Sequence, residues 1–224
     1  MYNNDYTKKL ESIIKQMLQP LKGIPLKLVI EGLYNHTIIP FDFNDIRDRK
    51  LLEDLIVVAD RSAKNINKKG ILRKRANEVG NDIEKYVKES LVAIGYICNT
   101  PITSEGKMKS TGYPDIEFID RFNRTNYLEC KTFNSESLNS SLRSFYLSPS
   151  RTSKITKDAH HFAISMEIYQ SGSKNGLNIF KCKGWKILCL EKLEVDVKYE
   201  FQSDNIHLYK KEMILAERNI KSRV

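Results

Sequence analysis

The sequence has no long hydrophobic run, and this absence argues against a membrane-spanning protein. No apolar stretch approaches the roughly 20 residues that a helix needs to cross a bilayer. The first residues, MYNNDYTKKLESIIKQ, are polar with an amphipathic run, unlike a secretory signal. Hydrophobic residues make up 41% and charged residues 29% of the 224 positions, which is ordinary for a globular protein. We therefore expect a cytoplasmic protein with no membrane partner.

Cysteine pairs at metal-binding spacing are also missing. The four cysteines are scattered, and no Cys or His pair follows Cys182 and Cys189 at a finger-like distance. We interpret the cysteines as buried reduced thiols. His160 and His161 precede a strand-like run, FAISMEI, and we favour a structural role for this pair over a metal site.

Acidic residues are outnumbered by basic ones, and the formal net charge is +9. This balance favours a polyanionic partner. The distribution is more informative, because the segment from Arg61 to Arg75, RSAKNINKKGILRKR, holds seven basic residues and no acid. A solvated helix face is the structural interpretation of this segment, and a phosphate-binding surface is the functional one.

Helical spacing dominates the first sixty residues. Apolar residues recur at this spacing before Pro20 and again after Pro25, and Asp45 can cap a third helix. We predict that residues 1–60 form a helical lobe and that residues 61–224 form the larger core.

The stretch from Gly112 to Phe133 concentrates the candidate chemistry. Asp115 begins an apolar strand-like run, and a second run carries Glu129 and Lys131, which project to the same face because they are two apart. If the runs pair as a hairpin, Asp115 lies close to Glu129. Two carboxylates and an ammonium group at one point can bind a hard divalent cation and meet a phosphate beside it. An ordinary salt bridge between Glu129 and Lys131 is the structural alternative.

The predicted helix from Asn77 to Gly95 offers a third acid. Glu84 lies next to Ile83 on the edge of the apolar face, so its side chain can point toward a sheet. A solvated helix position is the structural alternative. We rank Glu84 above the other acids of this helix, which are Glu78, Asp82 and Glu89.

Polar and basic segments flank the hairpin. The segment from Asn134 to Lys157 is rich in Ser, Asn and Thr and carries several basic residues. Small hydroxyl and amide side chains together with Arg are the groups that contact phosphates and base edges. The expected DNA contacts are Arg73, Lys74, Arg75, Lys107, Lys109, Ser141, Arg143, Ser150, Arg151 and Lys154.

The step Pro114–Asp115 followed by Glu129–Lys131 resembles the signature of the PD-(D/E)XK nuclease superfamily, with Cys130 between the acid and the lysine. Gly80–Glu84 resembles the helix element of many members, in which a glutamate reaches the metal site. The resemblance covers roughly Arg75 to Phe133. It implies an α/β (α+β) restriction-endonuclease-like core, with a mixed central β-sheet flanked by helices. It also implies Mg²⁺-dependent hydrolysis of phosphodiesters, leaving 5′-phosphate and 3′-hydroxyl ends.

The resemblance further implies a Mg²⁺ site formed by Asp115, Glu129 and the backbone carbonyl of Cys130. Glu84 would assist directly or through water. The metal would lower the pKa of a bound water and neutralise charge on the scissile phosphate. Lys131 would orient or help to deprotonate the attacking water and stabilise the pentacovalent phosphate.

Within the superfamily the chain looks most like a type II restriction endonuclease, which cuts double-stranded DNA at a specific and usually palindromic site. Such enzymes usually act as symmetric homodimers. We then expect residues 1–60 to serve dimerisation or DNA flanking, and residues 61–224 to be the catalytic and DNA-recognition core. Two alternatives stay open, a Holliday junction resolvase or other structure-specific nuclease, and a DNA-binding module that is catalytically idle. The intact Asp115, Glu129 and Lys131 argue against the idle module.

Overall fold

Eight strands and five α-helices are found in residues 4–17, 19, 21–134, 144–199 and 203–216, the part of the chain that the computed structural model describes. The strands are β1 (Ile24–Pro25), β2 (Ile71–Arg73), β3 (Ile97–Asn99), β4 (Ile116–Ile119), β5 (Thr125–Phe133), β6 (His160–Lys174), β7 (Leu177–Cys189) and β8 (Glu194–Val195). The helices are α1 (Asn4–Met17), α2 (Leu26–Tyr34), α3 (Ile46–Lys69), α4 (Gly80–Ala93) and α5 (Asn205–Leu208).

Residues 24–195 form one compact unit around a six-stranded sheet. The strand order is β2-β7-β6-β5-β4-β3, in which β5 and β6 run parallel and the other neighbours antiparallel. Strands β1 and β8 make a separate two-stranded sheet. Helices pack against this mixed sheet, so the predicted α/β (α+β) core is confirmed.

The two faces of β5 belong to different parts of the core. Leu128 and Cys130 face α3 and α4 in the larger hydrophobic cluster. Tyr127 faces the other way, toward α2 and Ile155, in the smaller cluster. The alternation of apolar residues along β5 therefore buries both faces near its middle, and Glu129 shares the face of Tyr127.

Helix α3 begins and ends where the local chemistry requires. Its N-cap, Asp45, accepts a hydrogen bond from the backbone N–H of Arg47 at 2.7 Å, as predicted. It ends at Gly70, whose φ of 70° favours glycine, and a Cβ there would lie 2.8 Å from Ile179. The basic run is therefore divided between α3 and β2. The predicted boundary between residues 60 and 61 falls inside α3, and the separate role assigned to residues 1–60 stays a prediction.

A network of ion pairs is buried at the start of β5. Arg124 donates from Nε to Asp120 at 2.8 Å and from Nη1 to Asp48 at 2.6 Å. A neighbouring group joins Arg121 and the hydroxyl of Tyr96 to the carboxylate of Asp54. Both groups link the helix α3 to the sheet and to the β4–β5 turn.

Residues 1–23 and 196–224 form a second unit, which contains α1 and α5. After β8, Asp196 to Tyr199 have no regular structure. A short 3-10 turn, Lys211–Met213, follows α5, and residues 217–224 lie outside the described part. Among the described helices, none is long and apolar enough to cross a membrane.

Candidate active site

The β4–β5 hairpin brings the two predicted carboxylates together. Ile116 pairs with Leu128, so the next position outward places Asp115 opposite Glu129. Asp115 Oδ2 accepts a hydrogen bond from the backbone N–H of Cys130 at 2.8 Å, which ties its side chain to β5. Lys131 Nζ lies 2.6 Å from Glu129 Oε1. The structure thus assembles Asp115, Glu129 and Lys131 as the hairpin predicts.

Burial makes the ionised form of both carboxyl groups unfavourable. Glu129 is only 5% exposed, and burial together with the charge of Asp115 raises its pKa to about 7, although Lys131 opposes this shift. Burial also raises the pKa of Asp115, against the opposing effects of the Cys130 N–H and Lys131. Glu129 Oε2 is buried and accepts no hydrogen bond from the described residues. A buried carboxylate oxygen without a partner is costly, and it is available to a ligand.

Glu84 reaches the same site from α4. It lines the cleft beside the hairpin, and its charge raises the pKa of Asp115. Its carboxylate is held by Lys88, whose Nζ lies 2.5 Å from Oε1 and also donates to Thr100 at 2.6 Å. The other acids of this helical region point elsewhere and form ion pairs, namely Glu78 with Arg75, Asp82 with Arg73, and Glu89 with Lys85.

The donor set of Asp115 and Glu129 fits a hard divalent cation. Both side chains offer carboxylate oxygens, and the buried Oε2 of Glu129 has no competing partner among the described residues. Within the described residues, no three or more Cys, His, Asp and Glu side chains are grouped so as to hold a metal ion. The fit therefore depends on two carboxylates, with Glu84 paired to Lys88 nearby.

The cleft that contains these residues has a volume of about 1040 Å³. Its floor is one face of the central sheet. Glu129 pairs in register with Ala163 and then Leu188, and Lys131 with Ser165 and then Lys186. Sequence reasoning missed the floor residues of β6 and β7, which are Ala163, Ser165, Lys186 and Leu188. Their place beside β5 depends on a parallel strand pairing between distant segments. The alternation in HHFAISMEIY was the available signal.

The predicted DNA contacts have different environments. Arg73 is engaged by Asp82, with two hydrogen bonds of 2.8 Å, and Arg75 is paired with Glu78 at 3.1 Å. Lys107 pairs with Glu105 at 3.2 Å on the surface. Among the other predicted contacts, Lys74, Lys109 and Arg151 are exposed and Ser150 is partly buried. Ser141 and Arg143 lie outside the described residues.

Lys154 differs from the exposed DNA contact that the sequence suggested. It is only 3% exposed, and its ammonium group donates to the carbonyl oxygens of Gly112 at 2.7 Å and Pro114 at 2.9 Å. Burial lowers its pKa, whereas the charges of Asp115 and Glu129 oppose this. Lys154 therefore holds the backbone that leads into Asp115.

The two histidines have structural contacts, in agreement with the interpretation from the sequence. His161 Nδ1 lies 2.5 Å from the hydroxyl of Tyr113, and burial lowers the pKa of His161 to about 3. His160 Nδ1 lies 3.0 Å from the carbonyl oxygen of Ile39, and its Nε2 lies 3.4 Å from Asp48. Both residues lie at the start of β6.

Comparison with known proteins agrees with the geometry of the cleft. The model of the type II restriction enzyme MjaV family matches residues 20–212. The type II restriction enzyme MjaV of Methanocaldococcus jannaschii is 40% identical over 236 aligned residues, which cover 99% of this chain and 100% of that protein. Both matches include the hairpin, α4 and the strands of the cleft floor.

Proposed function

Because this chain belongs to the type II restriction enzyme MjaV family and is a site-specific restriction endonuclease, we propose that it cuts DNA in the cleft of Asp115, Glu129 and Lys131. The observation that carries this assignment is the buried Oε2 of Glu129, which lacks a partner among the described residues. Buried ion pairs that serve only stability normally have their oxygens satisfied. Groups with shifted pKa values in a cleft are candidates for function.

Type II restriction enzymes generally use divalent metal ions, and we propose Mg²⁺ as the metal here. Asp115, Glu129 and the backbone carbonyl of Cys130 would hold the metal, with Glu84 assisting. Bound there, Mg²⁺ would acidify a water molecule and neutralise charge on the scissile phosphate. Oxygen ligands of this kind suit Mg²⁺, which keeps several waters and needs few protein ligands.

The protein's own groups would then act as follows. The ammonium group of Lys131 is half-buried beside Glu129 and can donate to a phosphate oxygen or to the attacking water. Its positive charge stabilises the negative charge that develops on phosphorus-bound oxygens. Asp115 is kept in place by the Cys130 N–H, and Lys154 holds the preceding backbone. We propose that cleavage leaves 5′-phosphate and 3′-hydroxyl ends.

We further propose a cytoplasmic homodimer that acts on a palindromic site of double-stranded DNA. A twofold axis would place one cleft on each DNA strand, which matches the symmetry of such a site. The segment from 134 to 157 follows directly on β5, and its Arg151 is exposed to solvent. This position supports the segment as a DNA-contacting element. Residues 1–60 stay our candidate for dimerisation or DNA flanking.

Cleavage of plasmid and phage DNA in Mg²⁺ tests the site. We expect Asp115→Ala and Lys131→Ala each to reduce the cleavage rate by at least about 10²-fold, because each removes a group needed in the transition state. DNA binding, measured by gel shift in Ca²⁺, should persist. Glu53→Ala is the matched control, because its carboxylate is exposed on α3 and pairs with Lys50.

Unchanged cleavage in either Asp115→Ala or Lys131→Ala would contradict the assignment. Discrete bands from the native protein support a site-specific enzyme. Selective cutting of four-way junctions would favour a resolvase instead, and no cutting of any substrate would favour an idle module.

A further inference from the structure

A row of side chains extends the catalytic face of the sheet beyond Lys131. Lys131 pairs in register with Ser165 on β6, and Ser165 pairs with Lys186 on β7. Paired residues of neighbouring strands point to the same face. Because adjacent strands lie about 4.8 Å apart, the backbones of Lys131 and Lys186 are about 10 Å apart across the cleft floor.

Lys186 has no acidic partner among the described residues. It is exposed, and its ammonium group lies 5.6 Å from the centroid of the Phe133 ring. The nearby carboxylate of Glu167 is instead paired with Lys183 at 3.4 Å. The ring contact orients the aliphatic chain without neutralising the charge, so the cation remains available to an anion.

Ser165 supplies a neutral hydroxyl between the two lysines. It is 7% exposed, lines the cleft, and its side chain makes no hydrogen bond with the described residues. The next row of the floor consists of one acid, Glu129, followed by two apolar residues, Ala163 and Leu188. The row from Lys131 to Lys186 is therefore a path with two cations, one hydroxyl and no carboxylate.

We propose that Ser165 and Lys186 form a second phosphate-binding subsite for the DNA strand that is cut. The strand crosses β5, β6 and β7 roughly perpendicular to them, with the scissile phosphate at Lys131 and a neighbouring phosphate of the same strand at Lys186. This inference rests on the proposed function of the Asp115–Lys131 cleft. It assigns to the sheet face, and not only to the flanking loops, a part in holding the DNA backbone.

Binding measurements with Lys186→Met test the subsite. We compare it with Lys186→Arg and with Lys183→Met, a control on the same strand whose lysine is paired to Glu167 outside the cleft. In Ca²⁺, Lys186→Met should raise the Kd for DNA by roughly ten- to hundredfold, the loss of one charge-assisted hydrogen bond. The slope of log K against log salt should fall by about 1. Lys186→Arg should restore most of the affinity, and Lys183→Met should bind as the native protein does.

Neutral methylphosphonates then locate the contact. The cut position is read by sequencing the ends, and each phosphate near it is replaced in turn. At the phosphate that Lys186 contacts, the methylphosphonate should weaken DNA binding by the native protein. It should weaken binding by Lys186→Met little further, because both changes remove the same interaction. At the other phosphates the two losses should add.

Two results would overturn the subsite. One is a Kd and salt slope for Lys186→Met that match those of Lys183→Met, with circular dichroism showing both variants folded. The other is additive losses at every phosphate. Either result leaves the proposed function intact if Asp115→Ala still abolishes cleavage, whereas retained cleavage in Asp115→Ala would remove the proposed function itself.

Discussion

The start and the middle of β5 both bury carboxylates, but the surrounding residues neutralise them to different extents. At the start, Asp48 and Asp120 share the guanidinium of Arg124, and each accepts a hydrogen bond from it. In the middle of the strand, Glu129 has one ionic contact, with Lys131, while its second oxygen has no partner among the described residues. The carboxylate oxygens at the start of β5 are thus satisfied, and one in the middle is not.

We interpret this difference as one between a structural site and the proposed functional site. In the buried ion network that joins α3 to the sheet, every carboxylate oxygen of Asp48 and Asp120 accepts a hydrogen bond, so these acids have little capacity left for a cation. The Nη2 of Arg124 has no partner among the described residues. The pair of Asp115 and Glu129 lowers the stability of the folded protein when ionised, since the pKa of both is raised. Such a cost is typical of binding sites, where completion is left to the ligand.

The largest effect on stability is expected from removing Arg124 from the ion network at the start of β5. Arg124→Met would leave Asp48 and Asp120 buried without their cation, and we expect a loss of about 3–5 kcal/mol in the free energy of unfolding. Urea denaturation monitored by circular dichroism measures it. Lys50→Ala, which removes an exposed ion pair to Glu53, should change stability little. Equal losses in the two variants would mean that the network does not hold the fold.

A smaller and opposite effect on stability is expected from replacing Glu129. The folded-state pKa of Glu129 is raised to about 7, above its ordinary value of 4.5, so the stability that this group contributes is present below pH 4.5. It is lost as the pH rises through 7, because the folded state must then give up a proton that it binds more tightly. In EDTA, Glu129→Gln should therefore be more stable than the native protein at pH 8, by about 1–3 kcal/mol, and similar to it at pH 4.5.

Thermal or urea unfolding from pH 4.5 to 8 provides this comparison. Glu53→Gln is the control, because that carboxylate is exposed and its curve should run parallel to that of the native protein. A difference between Glu129→Gln and native protein that does not grow with pH would contradict the assignment of the burial cost to Glu129.

The smallest effect on stability should come from Mg²⁺ binding to the carboxylates. If Mg²⁺ binds there, a concentration ten times its Kd should stabilise the native protein by about 1.4 kcal/mol. The gain should be larger at pH 8 than at pH 6, because the cation competes with the proton for the same oxygens. Arg124→Met should keep this gain, and Asp115→Asn should lose it. A gain that persists in Asp115→Asn would place the metal elsewhere.

Sequence reasoning succeeded where the relevant residues are close in the chain. Asp115, Glu129 and Lys131 lie within one hairpin, so the alternation of a strand and one turn determine their meeting. Glu84 lines the cleft, as expected from the helix periodicity that separates the faces of α4, and its role in the site stays a prediction.

The features that were missed depend on distant segments. Arg124 meets Asp48 from 76 positions away, and Lys186 joins the cleft only through the pairing of β5, β6 and β7. Lys154 was predicted as a DNA contact, and its burial against Gly112 and Pro114 was missed because it depends on how the chain returns after β5. No local pattern contains this information.

The parallel pairing of β5 and β6 determines the order in which we expect the site to form during synthesis. The hairpin that carries both carboxylates is local and can close early, whereas β6 must return through a long crossover before it can pair. Lys186 is added later still, on β7. A nascent chain can therefore contain the hairpin of Asp115 and Glu129 while Lys186 has not yet joined the sheet. If the cleft and the subsite act as proposed, host DNA would meet the complete cleft only after β7 has paired with β6.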